Sequence, residues 1–257
     1  MTGGQIGPGI RARLRRPGGQ LRLEHEVFPS RRLESYVMRA GFPTLTGVDE
    51  AGRGAAAGPL VIAAVILDPR RPVRGLRDSK CLTAEARARL ADQVFADAAH
   101  VSTVVVDVDE VDDRGVHRAN LEGIRRAIAR LGQRPEIALI DGYSPAGLTT
   151  PGLGVWKGDQ VFPSIAAASI VAKHVRDRIM NELDDQWPGY GFARHKGYLT
   201  ASHRRMLAEL GPSPVHRRSF APIRRLLSST DVPAGDSVAE TDHARCRAIV
   251  GPAEGCD

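Results

Sequence analysis

The sequence predicts a mixed α/β domain: a central sheet flanked by helices, followed by a helical C-terminal segment. Three observations carry this expectation. Short apolar runs rich in Val, Ile, Leu and Ala come first. Such runs then alternate with stretches whose apolar residues recur three and four apart. The last periodic stretches have helical spacing only.

Taken in order, residues 1–42 hold eight Arg against three Glu, with Gly and Pro scattered among them, and read as a mobile basic arm. The arm ends in a short helix near Leu33 to Arg39. Thr44 to Asp49 and Leu60 to Leu67 are apolar runs joined by a Gly-rich connection, which predicts two adjacent strands. Thr83 can cap a helix of strong helix formers reaching Ala99. Val101 to Val108 is β-branched and predicts a third strand. In Val116 to Leu131, Leu121, Ile124 and Ile128 mark one helical face that ends at Gly132. Glu136 to Ile140 is a short apolar strand running into Asp141–Gly142. A Pro/Gly-rich loop leads to Val155–Trp156, a long helix from Pro163 to Leu183, and a last helix from Thr200 to Leu210 that stops at Gly211–Pro212. The domain is expected over residues 43–227. From Ser228 to Asp257 apolar periodicity vanishes, and that tail is expected to be disordered.

Composition narrows the function classes. A net charge of +6 suits a polyanionic partner, since basic surface attracts a phosphate backbone regardless of sequence. Cys81, Cys246 and Cys256 make no CxxC pair, which argues against a disulfide framework and against zinc. No apolar run approaches the roughly 20 residues that span a bilayer. No signal peptide is recognised, no exposed apolar heptad suggests self-association, and a monomeric cytoplasmic enzyme is the expectation.

Four acids stand where chemistry is usually built. Asp49 and Glu50 end the first strand of the domain, Asp141 ends the Glu136 to Ile140 strand, and Asp159 precedes the long helix. A carboxylate set against a buried strand is costly unless paired or metal-bound, and strand ends are where open α/β sheets place their sites. Each acid also has a plain reading: Asp141 as a turn opener before Gly, Asp159 as a first-turn or capping acid, and Asp49–Glu50 as a solvated strand end. Neighbours on a strand point to opposite faces, so both acids serve one site only if the chain leaves strand geometry at Glu50. Gly52–Arg53–Gly54 follows at once, and its two glycines let backbone amides approach oxygen atoms of a ligand. His195, His203 and His216 lack zinc-like spacing and read as structural.

These segments resemble the ribonuclease HII family. The resemblance runs through Asp49–Glu50–Ala51–Gly52–Arg53–Gly54, Gly58–Pro59–Leu60–Val61, Asp78–Ser79–Lys80, Ile140–Asp141–Gly142 and Lys157–Gly158–Asp159. It continues through the run Ile165 to Lys173, Arg176–Asp177, Tyr190–Gly191–Phe192, His195–Lys196–Gly197–Tyr198 and His216–Arg217. It covers roughly residues 44 to 222 and implies an RNase H-like fold.

The resemblance also implies that Asp49, Glu50, Asp141 and Asp159 hold divalent metal, and hard oxygen ligands suit Mg²⁺ or Mn²⁺. By the same resemblance the Gly52–Arg53–Gly54 backbone reads a ribose 2′-hydroxyl and Tyr198 packs on the next sugar. Lys80, Ser169, Lys173 and Lys196 are its candidate phosphate contacts, with Ser169 and Lys173 on one helix face. The implied partner is an RNA–DNA hybrid or a DNA duplex carrying a ribonucleotide. Three rival readings are ribonuclease HIII, whose extra N-terminal domain 43 preceding residues could not make, another RNase H-like nuclease or transposase-type enzyme acting on DNA alone, and a hybrid-binding protein without catalysis.

Overall fold

The computed structural model describes residues 31–76 and 79–229 together with three short strands nearer the N-terminus. The elements run β1 (Gly3–Gln5), β2 (Arg11–Leu14), β3 (Gln20–Leu23), α1 (Arg31–Arg39), β4 (Leu45–Ala51), β5 (Leu60–Leu67), α2 (Ala84–Asp97) and β6 (Ala98–Val106). There follow α3 (Val108–Arg114), α4 (Val116–Ala129), β7 (Ile137–Asp141), β8 (Gly152–Val155), α5 (Pro163–Gln186), α6 (Phe192–His195), α7 (Ala201–Leu210) and α8 (Ala221–Ser229). Short 3₁₀ turns cover Ser79–Cys81 and Gly158–Gln160.

One mixed sheet, in the order β1-β2-β3-β8-β7-β4-β5-β6, organises the described residues. The pairs β4–β5 and β5–β6 are antiparallel, whereas β4–β7 and β7–β8 are parallel. Strands buried on both faces read as unbroken apolar runs, and β5 (LVIAAVIL) is buried along nearly all its length. On one face Val61, Ala63 and Val65 pack against Ala167, Ala168 and Val171 of α5. On the other, Leu60, Ile62 and Ala64 meet Ala119, Ile124 and Ala127 of α4. Each fully buried Ile or Leu side chain contributes about 1.5–3 kcal/mol. A separate cluster of Met180, Leu183, Phe192, Leu207 and Ile223 joins the end of α5 to the C-terminal helices.

Alanine and serine in the first turns of α5 let it lie close on the sheet. At Gly47 of β4 a Cβ would overlap the backbone of Ser164 and Ile165, so only glycine permits this approach. Glu34 of α1 reaches in from the side and accepts a 2.7 Å hydrogen bond from the Ser164 amide, satisfying one of the free donors at the start of α5.

Three elements differ from the sequence expectation. The third domain strand stops at Val106 instead of Val108, because the Asp107 side chain accepts from the Glu110 amide and caps a helix, α3, that the β-branched run conceals. The C-terminal segment continues past residue 227 as α8 reaches Ser229, with the Ser228 hydroxyl bonded back to the Arg224 carbonyl. Three short strands, β1 to β3, fall inside the segment read as a mobile arm, and β3 runs parallel to β8. The rest of residues 1–30 and residues 230–257 lie outside the described residues, as does Asp78. No helix among the described residues is long and apolar enough to cross a membrane.

Candidate active site

Parallel pairing of β4 with β7 aligns Val48 with Ile140, which brings Asp49 and Asp141 side by side at the two strand ends. Asp49 is 8% exposed. Its carboxylate accepts from the Glu50 amide at 2.7 Å and from the Ser169 hydroxyl on α5. Glu50 engages Asn120 on α4, and its Oε1 lies 3.5 Å from Nη1 of Arg53. Asp141 Oδ1 accepts from the Gly158 amide at 2.6 Å, and the Asp159 amide also donates to this carboxylate.

The expectation that the chain leaves strand geometry at Glu50 is corrected. Glu50 and Ala51 keep their antiparallel partners Ile62 and Val61, so β4 stays extended through both acids. Asp49 therefore faces α5 and Glu50 faces α4, and the site wraps around the strand end. Asp159 does not cap α5, whose N-cap is Phe162; it sits buried in its own 3₁₀ turn against Asp141.

Charge is unbalanced here. Burial raises the Asp49 carboxyl well above the ordinary carboxylate range, and the charges of Glu50 and Asp141 raise it further. Burial also raises Glu50, against the pull of Arg53, and raises Asp141, against the Gly158 amide. Lys80 supplies positive charge to both of these acids. Among the described residues no three acidic, His or Cys side chains already converge as a metal cage. The donor set nonetheless fits a hard divalent cation: three clustered carboxylates whose charged forms are penalised by burial, two of them, Asp49 and Asp141, also by the charge of Glu50. Beside Glu50, the Asn120 Oδ1 is buried and lacks a partner. A hydrated cation brings both positive charge and hydrogen-bond donors to such a place.

On the other side of the strand end, Gly52 has φ +91° and a Cβ there would overlap the Arg176 guanidinium. Gly54 stands 4.0 Å from the ring edge of Tyr198, measured from the position its Cβ would take. Tyr198 is 42% exposed, so its ring is open to a ligand. Ser169 and Ser79 hydroxyls lie 3.0 Å apart beside Asp49. Lys173 and Lys196 are engaged within the protein: Lys173 pairs with Asp177, and Lys196 bonds Asn181 from a left-handed backbone position. Burial lowers the ammonium pKa of both.

Several residues at the site escape sequence reasoning. Asn120 is one, and a polar residue four positions before Ile124 on an apolar helix face is the signal that could have found it. Arg176 and Arg217 lie in segments that carry the family resemblance, but sequence reasoning assigns them no role; both are fully buried against the loop that follows β4.

Comparison with known proteins agrees with this arrangement. A family model described as Ribonuclease HII matches residues 46–223. The chain belongs to the ribonuclease HII family. The ribonuclease HII of Acidothermus cellulolyticus is 48% identical over 89% of this chain and 77% of its own. Among solved structures, the ribonuclease H2 of Pyrococcus horikoshii OT3 superposes with TM-score 0.64 at 27% identity, covering 72% of this chain and 98% of that one. Bst-RNase HIII, solved in complex with Mn²⁺, shares the fold with TM-score 0.54 at 21% identity over 73% of this chain and 70% of that one. The ribonuclease HII match fixes the RNase H-like fold, and makes the chain an RNase H endonuclease of a divalent-metal-dependent family that acts on nucleic acid.

Proposed function

We propose that this ribonuclease HII cuts the RNA strand of RNA–DNA hybrids, and DNA duplexes on the 5′ side of an embedded ribonucleotide, leaving a 3′-hydroxyl and a 5′-phosphate. The single observation that carries the reading is the gathering of Asp49, Glu50 and Asp141 at the adjoining ends of β4 and β7, with the Gly52–Arg53–Gly54 turn and the exposed Tyr198 ring next to them. Acids and ribose-reading groups so close together suit a phosphodiester whose neighbouring sugar bears a 2′-hydroxyl.

Asp49, Glu50, Asp141 and Asp159 would hold Mg²⁺ or Mn²⁺, two ions in the full complex. Bound there, such ions would supply Lewis-acid chemistry: a lowered pKa for the attacking water and charge stabilisation for the leaving 3′-oxygen. The chain's own part is orientation. Asn120 steadies Glu50, Ser169 and the Glu50 amide fix Asp49, and the Gly158 and Asp159 amides fix Asp141. Gly52, Arg53 and Gly54 present backbone to the 2′-hydroxyl, and Tyr198 packs on the following sugar. Lys80 and Ser169 are placed for phosphate; Lys173 and Lys196 reach it only by giving up Asp177 and Asn181. We place the enzyme in the cytoplasm as a monomer, removing misincorporated ribonucleotides and primer remnants.

A labelled DNA duplex with one ribonucleotide tests the reading, incubated with Mg²⁺, Mn²⁺ or chelator alongside Asp141→Asn. A metal-dependent cut 5′ to the ribonucleotide, lost in the variant, is expected. Cleavage of long hybrids alone would remove the junction-reading role of Gly52–Arg53–Gly54 and Tyr198. No cleavage of either substrate would leave a binding protein in place of a nuclease.

A further inference from the structure

Two arginines lie fully buried behind the ribose-reading loop. Arg176, on α5, sends Nε to the Pro59 carbonyl at 2.9 Å, Nη2 to Ala57 at 3.1 Å and Nη1 to Lys196 at 2.9 Å. Arg217, just before α8, sends Nε and Nη2 to the Gly58 carbonyl at 3.0 and 2.9 Å, and Nη1 to Arg53 at 3.1 Å. All six bonds end on backbone carbonyls, and neither guanidinium makes an ion pair among the described residues. Burying a cation without a carboxylate costs several kcal/mol before its carbonyl partners compensate. A fold needing only rigidity could fill this space with apolar side chains at lower cost.

The distribution of the bonds says what the two side chains connect. Arg217 holds the front of the loop at Arg53 and its back at Gly58. Arg176 holds Ala57 and Pro59 and crosses to Lys196, with its guanidinium 5.7 Å from the centre of the Tyr198 ring. The amides of Ala56 and Ala57 complete the link by donating to the Gly197 carbonyl at 2.9 and 3.3 Å.

We propose that Arg176 and Arg217 are positioning residues that lock residues 52–59 and Lys196–Tyr198 into one 2′-hydroxyl-reading unit. The inference rests on the ribose-reading role given above to Gly52, Arg53, Gly54 and Tyr198. Directional bonding is the essential property: the planar arginine fork satisfies three carbonyls from Arg176 and two from Arg217 in fixed directions, and a lysine ammonium at the same place supplies charge without that geometry.

The test compares the wild-type chain with Arg176→Lys, Arg217→Lys and Arg217→Gln. Affinity is measured in chelator, so that nothing turns over, for a DNA duplex with one ribonucleotide and for the same duplex in all-DNA form. Melting is recorded for each variant, and assays run well below the midpoint. Preference for the ribonucleotide duplex is expected to collapse by about tenfold or more in each variant, which is about 1.4 kcal/mol. All-DNA affinity, set by surface charge, should change less than twofold. Folded variants that keep the wild-type preference overturn the proposal, as does an equal loss on both duplexes. Variants that melt below the assay temperature also count against it, since they assign both arginines to the fold alone. If the wild-type chain itself shows no preference, the ribose-reading role fails first, and that outcome is separate from the variants.

Discussion

Asp49 is held in a state that favours binding a cation over stability. Burial first, and the neighbouring charges of Glu50 and Asp141 second, penalise its ionised form. A carboxyl whose folded pKa is raised binds protons more readily in the native state, so metal-free stability rises as pH falls through that pKa towards the ordinary carboxylate value. We expect Asp49→Asn to raise the melting midpoint of the chelator-treated protein at pH 7 while cutting activity by about a thousandfold or more. The Asn oxygen can still accept from the Glu50 amide. A lower midpoint would show that the charge is already compensated in the free protein. Gly52 gives the opposite pattern. Gly52→Ala meets both φ +91° and the Arg176 side chain, so hybrid cleavage and stability should fall together. Unchanged melting in that variant would mean that the loop relaxes freely.

At the scale of elements, α5 connects the fold to the site. Its start lies on Gly47, its middle brings Ser169 to Asp49, and its later turns carry Lys173 and Arg176. Glu34→Ala removes the acceptor for the Ser164 amide and should lower stability by about 1–2 kcal/mol. For a domain of this size that is a fall of a few degrees in the melting midpoint. No change on calorimetry would show that another group takes over the cap. The strands of the domain and the long helix were legible because their apolar patterns reflect local burial. The β6–α3 boundary was not: Val104 to Val108 looks continuous, and the Asp107 cap competes with strand extension only once Glu110 folds back. Asp49, Glu50 and Asp141 stand out by their places at strand ends, and Asp159 by family resemblance alone. Arg176 and Arg217 lie in segments that carry the resemblance, but their role was not legible, since their partners are backbone carbonyls as far as 119 and 164 positions away.

Across the whole molecule, a buried histidine chain ties the C-terminal helices to Tyr198. The Ser213 amide donates to Nδ1 of His216 at 2.9 Å, so the His216 proton resides on Nε2 and points to Nε2 of His203 at 3.0 Å. His203 then donates from Nδ1 to the Tyr198 carbonyl, also at 3.0 Å. Burial lowers both imidazoles to about 4. The unfolded chain takes up these protons near the ordinary imidazole value of 6.5, so stability should decline as pH falls from about 6.5 towards 4. Chemical denaturation between those limits should show this slope, and replacing both histidines with Gln should flatten it. An equal slope in the double variant would assign it to other groups. With a net charge of +6, affinity for any duplex should also weaken steeply with added salt.

The position of Arg217 along the chain has a consequence for synthesis. Asp49, Glu50, Asp141 and Asp159 all leave the ribosome before it, and the sheet that carries them can pair in their order of emergence. Arg217 comes only with the last helical segment, and until it docks nothing joins Arg53 to Gly58 from behind. A nascent or truncated chain would thus own its acids without a fixed ribose reader. On the proposed reading, discrimination between RNA and DNA then waits for the segment that carries Arg217, so a chain without it is poorly equipped to act on the nucleic acid around it.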